Sequence, residues 1–239
     1  MTGDALHVGV SAERVVVPLP QTGCEAARLS FDNGVERLRL HADQAVHALL
    51  EARFGEPLPV VWSTECSVHV EYPLGSRLLR RTRPNTIRIS TAIAWSLDVH
   101  GATADLAADL IDVRVGAVSF HGGVAHSRLA LGRPSGLCTI RLSSAKELQI
   151  TRPTSAPVRL EVAKGATNVR LDDRRFGAVV DGLTGQTADY QGVRDRYLVI
   201  VSGGADGLTV EALADPDRDG RPRRARRVRG CPYSPTAGA

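Results

Sequence analysis

The chain has 239 residues, 43% hydrophobic and 23% charged, which is the balance of a folded protein long enough to bury a sizeable core as one domain or two small ones. Its formal charge of +4 is confined to the end of the chain: after residue 214, seven arginines face three aspartates, so the preceding residues are neutral overall and a basic binding face is excluded there. No apolar run approaches the ~18–20 residues of a membrane span, and the first twenty residues lack a basic stretch followed by an apolar one, so a cytoplasmic location is expected.

Aromatic residues make up only 4% of the chain, so small and β-branched side chains must fill the interior, as they do in narrow β-stacks. Cys24, Cys66, Cys138 and Cys231 are scattered, with no C-x-x-C and no compact metal spacing. They read as buried thiols in preference to a disulfide framework, since a chain of this size does not need staples.

Residues 1–91 read as a β-rich N-terminal region with one helix. Segments 6–10 and 15–19 are short strand candidates. Segments 27–31 and 35–40 flank Asp32-Asn33-Gly34, and Asn-Gly supplies the positive φ angles of a tight turn, so these two are expected to pair as a hairpin. Between residues 42 and 54, Val46, Leu49, Leu50 and Phe54 recur at i, i+3, i+4 and i+8. That spacing predicts one face of a helix, ended by Gly55 and Pro57 and covering an apolar patch or one open end of a stack. Segments 59–62, 67–72 and 86–89 alternate like half-buried strands. Arg77, Arg80, Arg81 and Arg83 crowd the segment before Pro84, which reads as a solvated loop in preference to a phosphate or nucleic-acid site.

From Trp95 to Val210 the chain repeats itself. Segments 101–106, 122–127, 143–148 and 164–169 align at a constant step of 21 residues, and a fifth copy at 203–208 follows after 39. Such a period marks a solenoid or array. An alternating stretch precedes each small-residue turn (Trp95, Leu97, Val99; Val118, Phe120; Ile140, Leu142; Val158, Leu160, Val162; Tyr197, Val199, Val201), and a second apolar pair follows it. Alternation buries one face of a strand, so each repeat offers two walls joined by a corner that only small residues fit. Side chains one period apart should then form columns such as Leu106, Ser127, Leu148 and Val169, with position 127 slightly displaced by its serine. Arg141 falls where Val99, Phe120 and Val162 stand, which predicts a bulge or a shortened corner. Arg133-Pro134 and Arg152-Pro153 belong at further bends, because proline cannot donate within a ladder.

Gly122-Gly-Val-Ala125, the Arg133–Gly136 corner, Gly165-Ala-Thr-Asn-Val-Arg-Leu171, Arg175-Phe-Gly-Ala-Val179, and Asp195-Arg-Tyr197 with Ser202-Gly-Gly-Ala205 resemble the bacterial putative-adhesin β-solenoid domains. The resemblance spans roughly residues 86–212, with a weaker echo at 26–72, and departs where Ser143-Ser144 replaces Gly-Gly. It implies a fold and brings no catalytic residues with it. The fold class expected is therefore mainly β: a β-solenoid, or single-stranded β-helix, of about 21 residues per coil. Residues 1–91 would cap the stack, 92–213 would form it, and 214–239 would be a disordered Arg-rich tail.

His100 and His121 are one period apart and flank the inward Val99 and Phe120, so their rings should lie on neighbouring coils and face outward. Asp98 is on their side, and Asp105 with His126 forms another one-period pair. A polar outer ladder is the preferred reading, with a zinc-like ion as the alternative. Asp98, Asp105, Asp109 and Asp112 are the one acidic cluster on the stack, with no matching lysine or tyrosine row for a carbohydrate-cleaving enzyme. No catalytic, cofactor-binding or metal residue is assigned. The function expected is a non-catalytic scaffold or protein-interaction module that meets a protein partner or itself through its faces or ends. The alternatives are a carbohydrate-active or metal-dependent β-helix enzyme, or an anionic-polymer binder acting through the Arg tail.

Overall fold

The structure, a computed structural model, describes residues 9–73 and 84–213. The Arg77–Arg83 loop, part of the first strand candidate and the tail from residue 214 lie outside the described residues. The protein is mainly β, with no helix among the described residues. The 21 strands of the described residues belong to one sheet that curls around a single apolar core until it nearly closes, like a barrel.

The repeated segments pair in parallel and in register. Strand β9 (Ala94–Val99) lies beside the first third of β12 (Val115–Leu131), with Leu97 opposite Val118, and β12 lies beside β13 (Leu137–Pro153), with Val118 opposite Ile140. Each of these 17-residue strands bends twice, so that one strand supplies three short walls. At the first bend two glycines have no room for a side chain: a Cβ on Gly122 would sit 2.2 Å from the Gly101 carbonyl oxygen, and one on Gly203 would sit 2.5 Å from that of Ser143. The second bend is made by a left-handed residue in every turn, namely Arg37, Asp105, His126, Glu147 and Asn168 at φ of 48–55° and Gly207 at 68°. Asn, Asp, His and Gly tolerate that conformation best, and four of the five copies of the motif carry one of them at the fifth position, Glu147 being the exception.

Inward positions meet as expected along shared columns. Leu106, Leu148 and Val169 are all buried, and so are Leu97, Val118, Ile140, Val199 and Leu160. Ser127 stays in its column rather than being displaced. Its buried hydroxyl donates to the Ala125 carbonyl at 2.7 Å and accepts from the Leu106 N–H at 3.2 Å, so no polar atom is stranded. The irregularity announced by Arg141 falls one turn earlier. Register shifts between Phe120 and Gly123, where His121 and Gly122 together oppose Ser143 as a β-bulge. Cys138 is a buried free thiol, and burial pushes its pKa up to about 12, which keeps it unreactive.

Three expectations for residues 1–91 are corrected. No helix covers 42–54: β4 (Leu38–Asp43) and β5 (Leu50–Arg53) occupy much of that span. Val46, Leu49, Leu50 and Phe54 are all buried, so the apolar spacing was real. The exposed edge of β8 (Asn85–Ser90) needs backbone partners, and β5 supplies them as an antiparallel strand. This need overrides the helix propensity of an alanine-rich segment. Asn33-Gly34 is a corner and not a hairpin. β2 (Ala26–Phe31) pairs in parallel with β7 (Ser67–Glu71) and with β9, while a Cβ on Gly34 would lie 2.3 Å from the Ala102 carbonyl oxygen. Cys24 and Cys66 are joined in a disulfide, with Cα atoms 6.0 Å apart, instead of being two thiols. Closing a loop of this length restricts the unfolded chain by ~4 kcal/mol in the entropic account.

Turns do not stack in chain order at either end. Segment 26–43 lies between β7–β8 and β9–β11 (β11, Ala107–Leu110), and its apolar residues belong to the shared core. At the other end, β19 (Arg196–Val201) and β21 (Thr209–Leu213) slot between β13 and the pair β14 (Val158–Val162) and β16 (Val169–Leu171). The last part of the described chain is thus inserted between earlier turns. Antiparallel β17 (Arg174–Phe176) and β18 (Leu183–Gln186) lie against the outer edge.

An ion pair between a buried arginine and a half-buried aspartate spans the inserted turn. Arg152, only 3% exposed, reaches past Ala212 to Asp172 at 2.5 Å, and also donates to the Ala156 carbonyl at 2.9 Å. The second Asp172 oxygen accepts the Ala212 N–H at 2.9 Å, so one carboxylate ties three turns together. Burial lowers the Arg152 pKa and the Asp172 charge opposes that shift. Removing the carboxylate leaves a desolvated guanidinium unpaired, so Asp172→Ala should cost about 3 kcal/mol in urea unfolding; an unchanged midpoint would show that this brace holds nothing.

Candidate functional site

The outer face of the first wall carries the most organised polar group. β9 ends at Val99 opposite Phe120, so His100 and His121 emerge from adjacent turns, each immediately before a corner glycine. Because Gly101 and Gly122 let the two backbones approach closely, the imidazoles stack at 4.4 Å between centroids and 3° between planes. Asp98 reaches the Nε2 edge of both rings. Its Oδ1 is 2.8 Å from His121 Nε2 and its Oδ2 is 3.4 Å from His100 Nε2. The histidine side chains are 49% and 54% exposed, whereas the aspartate is 22% exposed, so the carboxylate is the fixed member of the trio. The bulge at His121-Gly122 helps to aim the second ring.

Towards the N-terminal end, the same face continues with residues that the period did not reveal. Trp62 and His69 stack at 5.2 Å and 4°, His69 Nδ1 is 3.6 Å from Asp32 Oδ2, and Ser30 donates to Asp32 at 3.1 Å. The turn bearing Asp32 is offset from that bearing His100 by 68 residues, which is no multiple of 21. The constant offset shared by Leu29–Leu97, Val35–Thr103 and Leu40–Ala108 is the signal that would have found it.

Other candidate residues do not converge. His126 Nδ1 meets Glu147 Oε2 at 2.9 Å, so its partner is one turn later than the expected Asp105. Asp105 is at the second bend, while Asp109 and Asp112 lie on the third wall and at its end. The four aspartates therefore spread around the turn instead of lining one cleft. The short second wall forms an open groove floored by small residues, including Ala104, Gly123, Ala125 and Ala205.

No family model matches the chain, and no curated protein matches its sequence. A solved structure from Clostridium sporogenes, described as a putative cell adhesion protein, is similar with a TM-score of 0.56 and 15% identity, covering 86% of this chain and 100% of that one. At such identity the likeness concerns the fold alone. Among the described residues, no helix is long and apolar enough to cross a membrane.

The geometry of the histidine stack rests on its glycine corner more than on the rings. Gly122→Ala should cost about 1–3 kcal/mol, because the added methyl has backbone and no flexible side chain to push against. His121→Ala, at an exposed position, should stay within about 0.5 kcal/mol of the parent. Urea unfolding of both variants checks the contrast, and equal effects would contradict it.

Proposed function

We propose that the chain is a non-catalytic interaction module: a short β-solenoid that displays fixed ladders of outward side chains to a protein partner. The observation that carries this reading is the registered outer face of the first wall. Trp62, His69, Asp32, Asp98, His100 and His121 there stand on neighbouring strands or immediately after them, on a hydrogen-bonded backbone. Such a surface loses little conformational freedom on binding, which favours recognition by rigid display. The adhesion description of the Clostridium sporogenes protein supports the same class of role.

The Cys24–Cys66 disulfide supports an oxidising compartment as the working environment, in place of the cytoplasmic location expected from composition. Free edges at the two ends are the places where self-association would act. β18 there has its backbone paired on one side with β14.

A photo-crosslinking side chain placed at Ser119 or Arg141, which are neighbours on the outside of the first wall, tests the reading in the native cell. A discrete adduct with a protein is expected, and one at twice the chain mass identifies a second copy. Absence of any adduct from both wall positions would overturn the proposal.

A further inference from the structure

We infer that Asp98, His100 and His121 form a binding site for a divalent transition-metal ion of the zinc type. The backbone brings three ligand atoms, two imidazole nitrogens and one carboxylate oxygen, within 4.8 Å of one another. Zinc bonded to nitrogen and oxygen at ~2.0–2.2 Å in a tetrahedron needs ligand atoms about 3.4 Å apart. The His100 Nε2–Asp98 Oδ2 separation is 3.4 Å and the His121 Nε2–Asp98 Oδ1 separation is 2.8 Å, close to that span, and rotation of the two exposed rings completes the geometry.

Three features favour an ion over two simple imidazole–carboxylate contacts. Both rings present the same nitrogen, Nε2, to one carboxylate, so turning the two rings out of their parallel stack aims both lone pairs at one ion beside Asp98. The rings are held parallel at one strand spacing by a corner with no space for a Cβ, which fixes the distance between their attachment points. The extra bulge residue lies at His121-Gly122, one of the ligand positions, and bulges commonly re-aim a side chain. Two imidazoles and one carboxylate are a donor set suited to zinc and its late first-row neighbours and ill-suited to calcium or magnesium. With three protein ligands on an outer wall, the remaining coordination position faces solvent and takes a water.

Calorimetric titration of the tag-free, chelator-stripped full chain with Zn2+ tests the site. One ion per chain is expected, with affinity weakened at least tenfold in each of Asp98→Ala, His100→Ala and His121→Ala. His126→Ala and His69→Ala should leave that affinity unchanged. Visible absorption bands on titrating Co2+ into the parent chain, lost in His100→Ala, provide a second readout at the same residues. Circular dichroism and urea midpoints establish that the variants are folded. Absence of zinc heat in the parent chain, or equal binding by the Asp98→Ala/His100→Ala/His121→Ala variant, would overturn the inference.

Discussion

The constraint on which the structure depends is register. A parallel strand obtains its hydrogen bonds from neighbours about 4.8 Å away, and a slip of one residue would turn every inward side chain outward. Two features hold the register at each turn. Glycine at the first bend, as at Gly101, Gly122 and Gly203, lets backbones nearly touch, and a left-handed residue at the second bend redirects the chain. Between those points, columns such as Leu97, Val118, Ile140, Val199 and Leu160 fill the interior mostly with aliphatic side chains, joined by a few aromatics such as Phe31, Phe120 and Tyr197. The polar outer face inherits the same spacing, which is why two histidines one period apart stack nearly in parallel.

Stacked turns leave open edges, and this chain treats both ends alike. In each case a turn is placed one layer inside the edge and a sequence neighbour occupies the layer beyond it: 26–43 inside 67–90, and 196–213 inside 158–171. The described chain thereby ends in a turn that is hydrogen-bonded on both sides rather than at a fraying margin. Antiparallel strands cover the layers beyond. The Arg152–Asp172 pair bridges one insertion, and the Cys24–Cys66 disulfide connects segments leading into two adjacent layers at the other.

Much of the repeated region was legible because its physics is local and periodic. The 21-residue step exposed the inward columns, the corners, the irregularity beside Arg141 and the pairing of His100 with His121. What was not legible depends on neighbours remote in sequence. Val46, Leu49, Leu50 and Phe54 are buried in either conformation, so their spacing could not distinguish a helix from a turn followed by an edge strand. Asn33-Gly34 adopts a positive-φ bend in a corner as readily as in a hairpin, and only the partner strands decide between them. Ser127 keeps its inward place because the Ala125 carbonyl and the Leu106 N–H complete its hydrogen bonds, a detail of the bend that no polarity pattern encodes. The Cys24–Cys66 pairing follows from β2 lying beside β7, a pairing with no counterpart in the 21-residue period.

Insertion of the last described turn is the boldest feature of the fold, and cross-linking addresses it directly. Arg141 is the register partner of Ile200, whereas Glu161 lies one layer beyond, on the far side of Ile200. Mild oxidation of the Arg141→Cys/Ile200→Cys variant should form a disulfide, since adjacent strands satisfy its span, and Arg141→Cys/Glu161→Cys should not. Efficient bridging of 141 to 161 with none of 141 to 200 would mean that the turns follow one another in simple chain order, and would contradict the inserted arrangement.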